Sequence, residues 1–136
     1  MSIESYIEKQ ESGRGEILNA IHHIIAEGDK KAIASVGTMM GKEMIIYKAG
    51  GVFKYGLSSV VNHMSLHAMP IYGSSQLHSK YVKLLVKAKF QKGCINFKSG
   101  DQMPLDIVRQ LIEDCAKIDL AAMMENFKKR PTDKYF

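Results

Sequence analysis

Hydrophobic residues recur at helical spacing near the start of the chain and again near its end, and both stripes predict amphipathic helices. The first helix begins near Glu16 and is stopped by Gly28. Its apolar stripe consists of Ile17, Leu18, Ile21, Ile24 and Ile25. The last helix has Pro104 in its first turn, a position that proline favours. Its stripe consists of Val108, Leu111, Ile112, Cys115 and Ile118.

The middle of the chain has the patterns of strands. Residues 44–47 and 52–55 are apolar runs on either side of Gly50-Gly51, which predicts a hairpin. A third strand is predicted over residues 60–69 and ends at Pro70, because proline cannot donate to the strand ladder. Its even positions are mostly apolar, and its odd positions include His63, Ser65 and His67. This alternation predicts one buried face and one polar face that is solvated or half-buried.

The remaining segments complete an α+β pattern. A short helical turn at Tyr6 and Ile7 precedes the first helix, and residues 30–41 are ambiguous, with a short helix as one interpretation. A helix is predicted over residues 79–89 and a last strand over residues 94–98. Consecutive strands with short connections favour an antiparallel sheet with helices packed on it. We expect residues 1–125 to form a single domain and residues 126–136 to form a basic, flexible tail.

Composition agrees with an ordinary globular chain of 136 residues with a formal net charge of +5. The two cysteines, Cys94 and Cys115, have no metal-binding or redox spacing, and we expect both thiols to be free, as in a reducing compartment. The N-terminus has no signal-peptide pattern, and no apolar run is long enough to span a bilayer. These features predict a cytoplasmic protein, monomeric or homodimeric, without a membrane partner.

Three stretches resemble the YdhG-like domain family, a bacterial group largely without assigned function. They are residues 47–56, residues 62–67 and residues 92–97, the last followed by residues 103–106 at the start of the final helix. The resemblance extends over about residues 16–119. It implies a small α+β fold with helices on an antiparallel sheet. One branch of the family is described as frataxin-like and iron-handling, a role that depends on acidic surface, whereas this chain is basic and its acidic residues are scattered.

Few residues have a spacing that indicates catalysis or metal binding. His63 and His67 are four residues apart on one strand face, about 13 Å along the strand, which is too far for both to bind one zinc ion. Cys94 lies between Lys92 and Lys98, and cations lower the pKa of a thiol, so it is the candidate reactive cysteine. No phosphate-binding loop motif occurs. We therefore expect neither a metal nor a cofactor.

The leading hypothesis is a non-enzymatic binding or accessory protein that holds a small polar or anionic ligand against the sheet. Tyrosines and histidines supply hydrogen bonds, and a lysine offsets the charge of the ligand. The candidate ligand-binding residues are Tyr47, Lys54, Tyr55, His63, His67 and Tyr72.

Two alternatives remain open. One is a nucleic-acid-associated module that binds weakly and non-specifically through a lysine-rich helix, with Lys80, Lys83, Lys87, Lys89 and Lys92. The other is an iron-handling protein or an enzyme that uses Cys94 or a histidine.

Overall fold

The computed structural model describes residues 1–11, 13–91 and 93–123. The helices are α1 (Ile3–Glu8), α2 (Arg14–Gly28), α3 (Met69–Gly73), α4 (Ser75–Leu84) and α5 (Leu105–Ala116), with a single 3₁₀ turn at Gly100–Gln102. The strands are β1 (Ile33–Met39), β2 (Lys42–Ala49), β3 (Val52–Ser59), β4 (Met64–Ala68), β5 (Lys89–Gln91) and β6 (Cys94–Phe97).

The six strands form one sheet in the order β1-β2-β3-β4-β6-β5, and every neighbouring pair is antiparallel. The first four strands form a meander. The chain then leaves the sheet through α3 and α4 and returns with β5 at the edge, so that β6 pairs with both β4 and β5. This architecture confirms the predicted single α+β domain with helices on an antiparallel sheet.

The two faces of the sheet differ in what covers them. Directly paired residues share a face, so Ile45, Leu57, Leu66 and Ile95 form one row across four strands. This row belongs to the hydrophobic core, together with the buried apolar side chains of α1, α2 and α5. We call this side of the sheet the core face, and the opposite side the outer face.

Both helical stripes pack as predicted. The buried residues of α2 are the five that the sequence pattern identified, and α2 ends at Gly28. Gly28 matters for packing because a Cβ atom there would lie 2.8 Å from Cγ2 of Ile112 in α5. In α5 the stripe is buried from Val108 to Cys115, whereas Ile118 lies beyond the helix and is half-buried.

The helix suggested for residues 30–41 was wrong, because this segment forms β1. Residues Met40 and Gly41 connect β1 to β2, and both have positive φ angles, as in a type I′ hairpin turn. Pairing with β2 along the whole of β1 then satisfies the backbone groups of β1 on that side, and this outweighs the local helical propensity.

The predicted boundaries between residues 60 and 91 also needed correction. The third predicted strand is β4, which is shorter, and Pro70 lies in the first turn of α3. The predicted helix over residues 79–89 begins and ends earlier, as α4 with Ser74 as its N-cap. Residues 85–88 lie outside both helix and strand, and Lys89 begins β5, whose pairing with β6 satisfies its backbone groups on that side. The predicted tail, residues 126–136, lies outside the described residues.

Within residues 1–11, 13–91 and 93–123, no helix has both the length and the apolar composition needed to cross a lipid bilayer.

Candidate functional site

Polar side chains are buried on the outer face of the sheet, where the sequence predicted a solvated or half-buried strand face. Ser58, Ser65 and His67 are only 2%, 5% and 6% exposed. The prediction of exposure was wrong for Ser65 and His67, because β4 lies in the middle of the sheet and both residues are flanked by side chains of β3 and β6. Met44 and Ile46 are also buried on this face, outside the hydrophobic core.

His67 connects Ser58 and Cys94 across three strands. Its Nδ1 atom lies 2.9 Å from Sγ of Cys94, and its Nε2 atom lies 3.4 Å from Oγ of Ser58. The first contact follows from the register, in which His67 and Cys94 are direct cross-strand partners. Gly56, the partner of His67 on β3, leaves space for the imidazole, because a Cβ atom there would lie 3.3 Å from Cδ2 of His67.

A second row of hydrogen bonds runs beside the first. The Ser65 hydroxyl donates to Oδ1 of Asn96 over 2.6 Å, and Nδ2 of Asn96 donates to Oε1 of Gln91 over 3.2 Å. The first bond satisfies the hydroxyl of Ser65, which is buried, whereas Asn96 is half-buried and Gln91 is exposed. The outer face therefore has hydrogen-bonded polar side chains at its centre, and we call Ser58, His67 and Cys94 the polar centre.

Positive charge predominates among the strand residues of the outer face. Lys42, Lys48 and Lys89 lie on this face according to the strand register, and all three are exposed. No carboxylate is found among the outer-face residues of the described strands, since Glu43 lies on the other side and pairs with Lys9. A face that carries positive charges and no negative ones attracts small anions.

The same charges affect the titration of the polar centre. Burial lowers the pKa of His67 below its usual value, and the positive charges of Lys42 and His63 lower it further. Burial raises the pKa of the Cys94 thiol, an effect that Lys42 partly offsets. The resting pair is therefore a neutral imidazole beside a neutral thiol at neutral pH.

We expect the lowered pKa of His67 to make the folded state less stable in mild acid. Between pH 6.5 and the pKa of the folded state, unfolded chains bind more protons at this position, so stability falls as the pH falls. His22, whose pKa is also lowered, contributes in the same direction. Urea unfolding at pH 7.5, 6.5 and 5.5 measures the slope, which should be smaller for His67→Gln than for the parent. His23→Gln, at an exposed position of α2, is the control, and an equal slope in both variants would contradict this assignment.

An open cleft of about 640 Å³ gives access to Cys94 at the end of the outer face. It is lined by Met69, Tyr72, Gln91, Gly93 and Cys94. Gly93 allows α3 to approach the sheet here, because a Cβ atom at this residue would lie 2.9 Å from Cβ of Tyr72. Tyr72 itself is 60% exposed and forms the rim.

Three of the predicted ligand-binding residues lie on the core face instead. Tyr47 and Tyr55 are fully buried in the hydrophobic core. The Tyr47 hydroxyl lies 2.6 Å from Nδ1 of His22, and the Tyr55 hydroxyl donates to Oδ2 of Asp29 over 2.7 Å. Their hydroxyl groups therefore already have partners within the protein.

Lys54 is buried next to Tyr55 because of a β-bulge. Tyr47 pairs with Tyr55 and Lys48 with Phe53, so Lys54 is the extra residue and its side chain lies on the core side. Its Nζ atom lies 2.8 Å from Oδ2 of Asp29 and donates to the carbonyl oxygen of Ile118 over 2.9 Å. The charge that was predicted to offset a ligand is thus neutralised by Asp29.

The six predicted residues do not share one surface. His67 lies in the polar centre of the outer face, His63 is half-buried just before β4, and Tyr72 lies at the rim of the cleft. Among the other residues of the site, Cys94 was predicted from the sequence as a reactive thiol, whereas Ser58 and Lys42 were not predicted. Only the strand register brings Lys42, Ser58, His67 and Cys94 to the same face, because they lie on four different strands.

The two cysteines lie on the elements that the sequence predicted, but the expected lowering of the Cys94 pKa by neighbouring lysines was wrong, because burial raises that pKa overall. Both thiols are free; Cys94 is half-buried on a strand, and Cys115 is buried on the apolar side of α5. Burial raises the pKa of Cys115 to about 12. In the part of the chain that the structure describes, no three His, Cys, Asp or Glu side chains lie close enough together to hold a metal ion.

The lysines assigned to one helix face do not form such a face. Lys80 and Lys83 lie on α4, Lys87 follows it, and Lys89 is on β5. Lys80 is also paired with Asp114, at 2.7 Å. Lys92 lies outside the described residues, and weak, non-specific binding of nucleic acid stays a prediction.

Comparison of the chain with family models, with curated proteins and with solved structures finds no match.

Proposed function

We propose that this protein binds a small anionic ligand on the outer face of its sheet, next to the polar centre formed by Ser58, His67 and Cys94. The observation that carries the proposal is the burial of Ser58 and His67, beside the half-buried Cys94, on a face whose strands carry lysines and no carboxylate in the described part of the chain. A buried polar centre costs desolvation free energy, and an apolar core would not incur that cost. A role in ligand binding would explain why the protein has a polar centre here in spite of this cost.

Each residue has a chemical role in this proposal. Lys42 supplies the positive charge, and it lies near enough to affect the titration of both His67 and Cys94. The N–H of His67 is directed to Oγ of Ser58, which leaves the Ser58 hydroxyl hydrogen to donate to an anion. Tyr72, at the rim of the adjacent cleft, has an exposed ring and hydroxyl that can orient the rest of the ligand.

The proposal keeps the ligand class that the sequence suggested but moves the site. His67 and Tyr72 remain in it, whereas Tyr47, Lys54 and Tyr55 are assigned to stability because they lie on the core side of the sheet, away from the outer face, and pair with His22 and Asp29. Membership of the YdhG-like family also remains our proposal. It is supported by the three sequence stretches and by the order of helices and strands.

A thermal-shift screen with inorganic phosphate, citrate and pyruvate tests the proposal. We expect at least one anion to raise the melting temperature of the parent, since a ligand at a hundredfold excess over its Kd adds about 2.7 kcal/mol. Lys42→Ala should lose most of this stabilisation. Lys83→Ala, which removes an exposed lysine from α4, is the charge-matched control and should keep it. The proposal would be refuted if the anions stabilised Lys42→Ala and Lys83→Ala equally. It would also be refuted if no anion stabilised the parent.

A further inference from the structure

The contacts of His67 have the geometry of a nucleophile, a base and a group that orients the base. The thiol of Cys94 lies within hydrogen-bonding distance of Nδ1, and the hydroxyl of Ser58 lies near Nε2 on the opposite side of the ring. Ser58 and His67 are almost fully buried, whereas Cys94 is half-buried and lines the cleft. A nucleophile hydrogen-bonded to a base, with the base oriented by a third group, is the arrangement that activates serine and cysteine nucleophiles.

We infer that Cys94 is a nucleophile for activated acyl groups, esters or thioesters, with His67 as its general base and Ser58 as a positioning residue. The inference rests on the proposed function, because the acyl donor would occupy the same site. In the reaction, Sγ of Cys94 bonds to the acyl carbon and the bond from that carbon to the leaving oxygen or sulfur breaks. The thiol proton passes to Nδ1 of His67 and from there to the leaving group.

The protonation states of the resting site suit this step. A thiol that donates to Nδ1 requires the tautomer with hydrogen on Nε2, and this N–H then points to Oγ of Ser58. The positive charges of Lys42 on β2 and of His63, the residue before β4, both lower the pKa of His67 and so disfavour its protonation. His67 is therefore able to accept a proton at neutral pH.

The cleft explains how an acyl donor reaches the thiol. Its walls include the side chains of Met69 and Tyr72, which offer apolar contact to the acyl chain, while Gln91 offers an amide. Cys94 itself lines the cleft, whereas the thiol of Cys115 is fully buried in the core. Cys115 therefore serves as an internal control for the reactivity of Cys94.

Acylation by p-nitrophenyl acetate tests the inference. We expect a burst of about one p-nitrophenolate per chain, and intact-mass and peptide analysis should place one acetyl group on Cys94. Cys94→Ala should abolish the burst, and Cys115→Ala should retain it. His67→Gln should slow acylation roughly 100-fold, the contribution typical of a general base. An acetyl group on another residue, or a rate in His67→Gln within threefold of the parent, would overturn the inference.

The pH profile separates a catalytic base from a structural histidine. In the parent, acylation should level off above the lowered pKa of His67, so that it changes little between pH 7 and pH 8. In His67→Gln it should rise roughly tenfold per pH unit, because only the thiolate then reacts. Ser58→Ala should slow the parent reaction while keeping its plateau. Identical profiles in parent and His67→Gln would overturn the inference, and a parent stabilised by phosphate but not acylated would overturn it without refuting anion binding.

Discussion

Replacing Lys54 with methionine is expected to lower the free energy of unfolding by about 3–5 kcal/mol. The substitution leaves the Asp29 carboxylate buried, with the hydroxyl of Tyr55 as its remaining close partner. Methionine fills much the same volume, so the loss reports the uncompensated charge rather than a cavity. Urea or guanidinium unfolding at pH 7 measures it.

A second Lys-Tyr pair in the same chain supplies the control. Lys80 and Tyr81 contact Asp114 as Lys54 and Tyr55 contact Asp29, with distances of 2.7 and 2.5 Å to Oδ2. Here the lysine and aspartate side chains are 42% and 21% exposed, against 3% and 3% for the buried pair. Lys80→Met should therefore cost no more than about 1 kcal/mol. Similar losses in the two variants would contradict the assignment of Lys54 to a buried pair.

The double variant Lys54→Met/Asp29→Asn refines this expectation. Removing both charges should restore much of the stability lost in Lys54→Met, because replacing both members of a buried pair is often close to neutral. No recovery in the double variant would mean that packing, rather than charge, causes the loss.

The second large effect is expected for Phe97→Ala, which should destabilise the protein by about 3–5 kcal/mol. Phe97 is 1% exposed and lies on the core face of β6, opposite Met64, so truncation leaves a cavity that neighbouring side chains fill only in part. Its neighbour Asn96 faces the other way and pairs with Ser65 on the outer face. Asn96→Ala should cost about 1 kcal/mol, the value of a typical hydrogen bond. The reverse order of the two losses would mean that the register of β6 is shifted by one residue.

Features that depend on neighbouring residues could be predicted from the sequence. Gly50 and Gly51 both have positive φ angles, and the hairpin between β2 and β3 follows from them. The apolar stripes of α2 and α5 could also be predicted, because helical spacing repeats within a few residues. In β4 the alternation of apolar and polar positions identified the core face, with Met64, Leu66 and Ala68 in the core.

Features that depend on distant strands could not be predicted. The burial of His67 results from β3 and β6 on either side of it. The strand β3 precedes β4 directly in the chain, but nothing near His67 in sequence indicates that β6 is the other neighbour. The position of Lys54 depends on a bulge opposite Tyr47 and Lys48, which alternation alone does not reveal. The candidate site combines such long-range features, which explains why its members Ser58 and Lys42 were not identified from the sequence.

The central claim is that anions bind at the outer face, and amide chemical-shift mapping during a phosphate or citrate titration tests it most directly. The account predicts that the largest saturable shifts occur at Lys42, Ser58, His67 and Cys94, with smaller changes at Tyr72 on the rim. Exposed lysines elsewhere, such as Lys83 on α4, should show only weak, non-saturating changes. Saturable shifts centred on α4, or no saturable shifts on β2, β3, β4 and β6, would contradict it.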